Sequence, residues 1–345
     1  MRAASRSAAI VGAGVAGRLC ALRLARSGWR VDLYDDGAPS ASAAAAGMIA
    51  PASEALLDGV DRKTAGLWRG AARLWPGLAA ELRLEIAATG ALHLAPAAEL
   101  DQRAMQAERL GVRAKRRGDG LLLPEDSQLD ASGALEALAR ATEAAGVRAL
   151  RTPVSVRSGR LSCGGSPVRA DVVVVAAGWG ASALVEAAPE LAVLHPIKGQ
   201  LLRLAGPAGS GPVLRGRDVY LAPGREGWTV GATMEEGLGD LRPDPALLAG
   251  LGAAATAIRP ELAGAPAQAA VGVRAATPDG RPLVGLSSSG LLLATGLRRN
   301  GWLLGPLVAE TVAAYAEGRD PDAALGGQAH AWSPARFARP TQGPA

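Results

Sequence analysis

The first residues in the chain whose spacing suits them to chemistry are Gly12-Ala13-Gly14-Val15-Ala16-Gly17, a G-x-G-x-x-G turn. Asp35 follows 18 residues after Gly17, with Asp36 beside it. In such a turn the first glycine takes the tight bend, the second lets a pyrophosphate lie against the backbone, and the third lets helix and strand pack closely. The N–H groups that open the following helix then face the phosphates, and an acid at the end of the next strand accepts hydrogen bonds from a ribose. The chemistry expected of this group is dinucleotide binding.

These residues need a strand, a helix and a second strand to hold them. Residues 8–11 read as a short buried strand. The helix that follows carries Leu19, Leu22, Leu24 and Ala25 on one side and stops at Gly28, and residues 31–35 alternate apolar and polar. The βαβ rhythm then breaks. Residues 61–87 read as helical, with Leu67, Trp68, Leu74 and Trp75 on a buried face. Residues 89–94 read as a strand, 97–117 as a charged helix and 131–145 as another, ended by Gly146. Four consecutive valines, Val172 to Val175, imply a strand buried on both faces, followed by Ala176-Ala177-Gly178-Trp179-Gly180. From Pro196 to Val230 alternating strands between Gly and Pro turns indicate antiparallel sheet. A strand at 290–295, a loop at 296–301 and a helix at 303–316 come last. The expected fold class is α/β, α+β overall: a Rossmann-like domain, discontinuous, interrupted by an antiparallel-sheet substrate domain. The expected division is 1–87, 118–190 and 273–345 for the first, and 88–117 with 191–272 for the second.

Composition removes other classes. The 345 residues include 37 Lys plus Arg against 32 Asp plus Glu, a formal charge of +5, and 49% are hydrophobic, as in compact folded proteins. Only Lys63, Lys115 and Lys198 are lysines, and arginine is spread along the chain. The one dense run, Arg113 to Arg117, holds four basic residues, so nucleic acid is not the expected partner. Cys20 and Cys163 are too few for a disulfide framework and lack metal-ligand spacing; no metal is expected, and a reducing cytoplasm is. The longest uncharged run, residues 37–53, is broken by Pro39 and Pro51 and falls short of the ~18 apolar residues of a spanning helix. Arg2 and Arg6 precede a glycine-punctuated stretch that does not read as an export signal, so neither membrane attachment nor export is expected.

Several further motifs occur in a fixed order: Ala46-Gly47-Met48-Ile49-Ala50-Pro51 within residues 42–51, His195-Pro196-Ile197-Lys198-Gly199-Gln200, Tyr220-Leu221-Ala222-Pro223, and Val230-Gly231-Ala232-Thr233-Met234-Glu235. Arg274-Ala275-Ala276-Thr277-Pro278-Asp279-Gly280-Arg281-Pro282 and Arg299-Asn300-Gly301 complete the series. Together with the glycine turn they resemble the D-amino-acid oxidase superfamily of FAD-dependent amine oxidases, and most of all the glycine oxidases of thiamin synthesis, over nearly the whole chain. The resemblance implies FAD as cofactor and makes the Rossmann-like domain the FAD-binding domain. Val15 and Ala16 would hold the pyrophosphate, Asp35 and Asp36 the ribose, and Val154 the adenine through its backbone. Ser42 and Ala46-Gly47-Met48 would run beside the flavin, with Gly178 nearby. Residues Leu297, Arg298, Arg299, Asn300, Gly301, Trp302 and Leu303 would form the loop around the isoalloxazine, whose reduced form a helix N-terminus stabilises. Arg274 matches the family's carboxylate-binding arginine, and a guanidinium fork suits a carboxylate. Tyr220 matches a tyrosine of the substrate site, and Met234 and Arg299 join these two as the expected catalytic set.

By the same resemblance the partners are a small amine or amino-acid substrate and oxygen. Glycine would give glyoxylate, ammonia and hydrogen peroxide by hydride transfer, in thiazole synthesis, and the chain would form a homo-oligomer, a tetramer. Neither cysteine lies in a flavin-facing motif, so the FAD is expected to be non-covalent. His195 is expected to satisfy a local hydrogen bond. The chain departs from the family at Leu297, where glycine oxidases usually carry a histidine, at Ala275 in place of proline, and at Lys198 in place of arginine. A dehydrogenase of the same fold with another electron acceptor, and a flavoprotein without amine turnover, are the alternatives.

Overall fold

The computed structural model describes residues 6–337; the ends of the first and last expected domain segments, with Arg2, lie outside the described residues. A six-stranded sheet has the order Leu283–Leu286, Leu292–Thr295, Val172–Val175, Ser7–Val11, Arg30–Tyr34, Arg148–Leu150. Its pairings are parallel except the first. The valine strand lies between two parallel partners, with Val174 and Val175 fully buried. The Val15–Arg26 helix buries Leu19, Leu22 and Leu24 and stops before Gly28, whose φ of 80° suits glycine. It packs against the Gly301–Ala316 and Ala131–Ala144 helices.

A second, nine-stranded sheet stands beside it. Ala267–Ala276 pairs antiparallel with His195–Ala205, and the sheet continues through Gly227–Gly231, Tyr220–Gly224 and Val213–Arg215. There Ala91–Leu94 joins in parallel, followed by Gly120–Leu123 and the exposed edge Lys115–Arg117, a charged edge that discourages further pairing. Alternation along these strands divides the side chains between two faces. Leu202, Val230 and Leu221 turn toward the Pro245–Ile258 helix and pack with Leu251 and Ala255, while Leu201, Gly231 and Tyr220 turn to the opposite face.

Four expectations need correction. Residues 61–87 form two helices, Arg62–Ala72 and Trp75–Leu82. Pro76 lies in the first turn of the second, where its missing N–H is harmless but a continuous helix could not pass. Trp68 and Trp75 are buried, but Leu74, at the junction, is 39% exposed. The helix expected over 97–117 ends at Leu110, because Gly111 takes φ 68° and turns the chain back into the sheet. The boundaries expected at 117 and 272 cut through this sheet, which extends to Leu123 and Ala276.

Candidate active site

Between the sheets lie two cavities that share Ala41 and Arg274. The first, about 360 Å³, is walled by Gly12, Gly14, Val15, Ala16, Asp35, Asp36, Ser42, Val154, Gly178, Leu297, Arg298 and Gly301. Gly12 has φ 105°, and a Cβ there would come within 2.6 Å of the Ala176 carbonyl oxygen. A Cβ on Gly17 would overlap the Gly12 carbonyl oxygen, so Gly17 lines no cavity and works from behind, holding helix to strand. Gly14, at the N-cap of the helix it belongs to, supplies no side-chain bond, and of the opening amides Val15 N donates to Ser42 Oγ at 3.1 Å. Asp35 and Asp36 accept from Gly37 N and Ala38 N at 3.1 and 2.9 Å, which leaves carboxylate oxygens for a ligand. Arg18, absent from the sequence reading, is close enough to Asp35 to interact with it, and its Nε is buried without a hydrogen-bond partner.

The second cavity is a trough of about 490 Å³ over the nine-stranded sheet, reached by Ala46, Gly47, Met48, Tyr220, Met234, Arg274, Arg299, Asn300 and Trp302. Its floor at Gly199, Gly231 and Gly272 has no side chains. Arg274 folds over Gly199, where a Cβ would overlap the guanidinium. It donates to the Thr233 carbonyl at 3.2 Å and lies 3.3 Å from Met234 Sδ, with no carboxylate partner among the described residues. Burial lowers its pKa. The Tyr220 hydroxyl lies over Gly231, 2.6 Å from where a Cβ would stand, and burial raises its pKa although Arg274 and Arg215 oppose the shift. Gly47, at φ 73°, fits tightly against Leu129 O, and Gln128 Nε2 donates to Ala46 O at 3.1 Å. Trp302 Nε1 donates to Ser42 O at 3.1 Å and Trp75 Nε1 to Trp302 O at 2.6 Å. The first bond fixes the Gly301–Ala316 helix against the 42–48 segment, and the second ties it to the Trp75–Leu82 helix. Leu303 is 1% exposed and faces the core, not either cavity; His195 also lines neither.

The family model described as DAO, FAD dependent oxidoreductase, matches residues 7–315. The chain belongs to this family. The bifunctional protein MnmC of tRNA 5-methylaminomethyl-2-thiouridine biosynthesis from Maricaulis maris is 30% identical over 96% of this chain and 55% of its own length. The bifunctional protein ThiO/ThiG of Nostoc is 31% identical over 90% of this chain and 52% of its own. The chain thus spans about half the length of these curated relatives. Among solved structures, glycine oxidase from Geobacillus kaustophilus superposes with a TM-score of 0.82 at 27% identity, covering 92% of this chain and 96% of that one. Iminodiacetate oxidase from Chelativorans gives 0.80 at 30% identity, covering 91% and 96%.

The cavities fit the FAD of this family. The glycine turn, the helix start and the Asp35-Asp36 pair suit a diphosphate and a ribose. The trough alongside has a flat wall at Ala46 to Met48 and the uncapped start of the Gly301–Ala316 helix near its end. Neither cysteine lines either cavity.

A charge network in the wall of the trough, centred on Glu54, Arg215 and His93, was not anticipated. Glu54, 5% exposed, accepts from Arg215 Nη2 at 3.0 Å and pairs through its other oxygen with Arg299. Asp58 bonds Arg298 and Arg299 at 2.8 and 2.6 Å. Burial would raise Glu54, but Arg215 and Arg299 together hold it below the usual carboxylate range. His93, fully buried, lies 2.8 Å from Arg103 Nη1 through Nδ1 and 2.8 Å from Ser53 Oγ through Nε2. A guanidinium only donates, so Nδ1 accepts and the proton sits on Nε2. Burial, with Arg215 and Arg103, pushes the His93 pKa down to about 3, leaving the ring neutral. Asp126 accepts from Ala52 N and Ser53 N at 2.8 and 3.1 Å; burial pushes it up to about 6. The available sequence signal was a single titratable or charged residue in each stretch: Glu54 after Pro51, His93 between leucines, Arg215 after Val-Leu.

Proposed function

We propose that this chain oxidises a small amino acid at its Cα–N bond, with glycine the leading substrate, yielding an imine that water converts to the oxo acid and ammonia while oxygen becomes hydrogen peroxide. The observation that carries the reading is Arg274: a largely buried guanidinium without an acidic partner, over a glycine floor and beside Tyr220, where the two cavities meet. A buried guanidinium without a counter-ion is costly, and a substrate carboxylate removes that cost through a two-pronged, charge-assisted contact. Tyr220 can donate its hydroxyl hydrogen to the same carboxylate. FAD, when bound, supplies the hydride acceptor.

The remaining work of the protein is placement. The bare floor at Gly199, Gly231 and Gly272 lets the substrate lie close to the sheet, and Met234 closes one side as an adaptable apolar wall. His93 is neutral and Glu54 is held by two arginines, so neither is free as a strong base; the amine is bound neutral, and orientation carries most of the rate. The relatives named glycine oxidase and ThiO/ThiG support glycine as substrate and thiazole synthesis as the setting.

The test is anaerobic mixing of the flavin-loaded protein with glycine, sarcosine and D-alanine, followed through the flavin's visible band, with air then readmitted. Bleaching, then recovery with peroxide, is the expected result. Bleaching without recovery in air transfers the chain to the dehydrogenases, and a flavin untouched by every amine defeats the reading.

A further inference from the structure

We propose that the substrate amine carries a second carboxylate, held at the Arg215 end of the trough while Arg274 holds the first. This rests on the amino-acid oxidase reading and names the substrate class of that same site.

Strand register places the two arginines on one face. Arg215 pairs with Tyr220, Tyr220 with Gly231, and Gly231 with Leu201; directly paired residues point to the same side of a sheet. Gly199 lies two residues from Leu201 and pairs with Gly272, and Arg274 lies two residues beyond Gly272. The row therefore runs from Arg274 over bare glycines to Tyr220 and on to Arg215. Its ends are four strand spacings apart across the sheet, about 19 Å at ~4.8 Å each, and four residues apart along it, about 13 Å at ~3.3 Å each, so about 23 Å in all; the Arg274 guanidinium leans inward over Gly199. Glycine anchored on Arg274 leaves the far end of a trough of about 490 Å³ without an anion.

Arg215 does not have a carboxylate of its own. Its one acidic partner, Glu54, is shared with Arg299, while Asp58 serves Arg299 and Arg298, the latter a residue of the dinucleotide cavity. Arg103 is matched by Glu99, and His93 adds no charge. Arg217 also lines the trough, with no ion-pair partner among the described residues, and Asp218 beside it offsets that charge. Arg215 is 8% exposed and lines the trough, where an anion is attracted more strongly than in open water.

The experiment titrates the flavin-loaded protein with thiodiacetate and with methylthioacetate, thioethers with two and one carboxylates and no amine to oxidise, reading the shift of the flavin band. Anaerobic bleaching rates are then compared for iminodiacetate, D-aspartate, sarcosine and glycine. Expected are binding of thiodiacetate roughly tenfold tighter or more, faster bleaching by a dicarboxylate, and a collapse of both ratios in Arg215→Lys. Arg217→Gln, at an exposed position, reduces the ratios to a smaller extent and serves if the buried change prevents folding. The arms with iminodiacetate and D-aspartate separate a carboxylate carried on nitrogen from one carried on the α-carbon. Equal affinity for the two thioethers, or ratios unchanged in both variants, overturns the proposal. Preferred thiodiacetate binding with no bleaching by any amine keeps the two-anion site and overturns the oxidase reading. Bleaching by glycine with no preference for dicarboxylates does the reverse.

Discussion

The two cavities share Arg274 but are built from different materials. The dinucleotide cavity is made chiefly of main chain: a glycine bend, a helix start, and a strand end with two acids. The trough is made of side chains carried by strands that meet only through sheet pairing: Arg274, Tyr220, Arg215 and His93, with Glu54 in the same wall. The first should depend chiefly on backbone geometry; the second should depend on charge and tolerate changes that leave the backbone alone. Each region can be broken without the other if that division holds.

The largest separation should come from Arg274→Gln. Loss of the guanidinium is expected to lower kcat/KM by on the order of 10³, about 4 kcal/mol, with flavin content per protein unchanged; a variant that purifies without flavin would show that the trough also holds the cofactor. Next is Glu54→Gln, which leaves Arg215 and Arg299 with one carboxylate fewer and is expected to cost about 3 kcal/mol of stability, measured by denaturant unfolding. The sign with pH is fixed. The folded pKa of Glu54 lies below its ordinary value, so the wild-type advantage is full above the usual carboxylate range and disappears as pH falls through the lowered folded value. A gap between the two proteins that widens in acid would contradict the ion-pair assignment.

Gly12→Ala inverts the Arg274 result. Strain at φ 105° is expected to weaken FAD binding by about 2 kcal/mol, roughly thirtyfold, while substrate KM in protein reloaded with excess FAD stays near wild type; dialysis against apoprotein reads the first and steady-state rates the second. The smallest effect is expected from Met234→Leu. Near-equal volume in a wall position should change KM by less than about threefold, and a larger change would give the thioether on Arg274 a role beyond filling space.

This division also governs what could be read from the chain. The glycine bend, the helix after it and Asp35 are local, because positive φ and close approach demand particular residues within a short span; those elements stand where the spacing put them. Arg274 and Tyr220 were legible through extended motifs. Glu54, Arg215 and His93 were not, since each is one charged or titratable residue whose meaning comes from tertiary placement: Arg215 lies opposite Tyr220 on one side and His93 on the other, and Glu54 reaches Arg215 from the Pro51–Asp58 helix. The helix expected through residue 117 failed for a local reason that was present in the sequence, Gly111, outweighed by the charged run after it. Leu303 was assigned to the loop around the flavin by its place in the motif, yet the helix that begins at Gly301 turns it toward the core.

The dinucleotide cavity takes its walls from both ends of the described chain, residues 11–16 at one side and 294–301 at the other. During synthesis, therefore, the glycine turn emerges early but lacks part of its wall until residues 294–301 have left the ribosome. Flavin capture has to wait for that segment, and a nascent chain halted before residue 301 should stay colourless however long it waits.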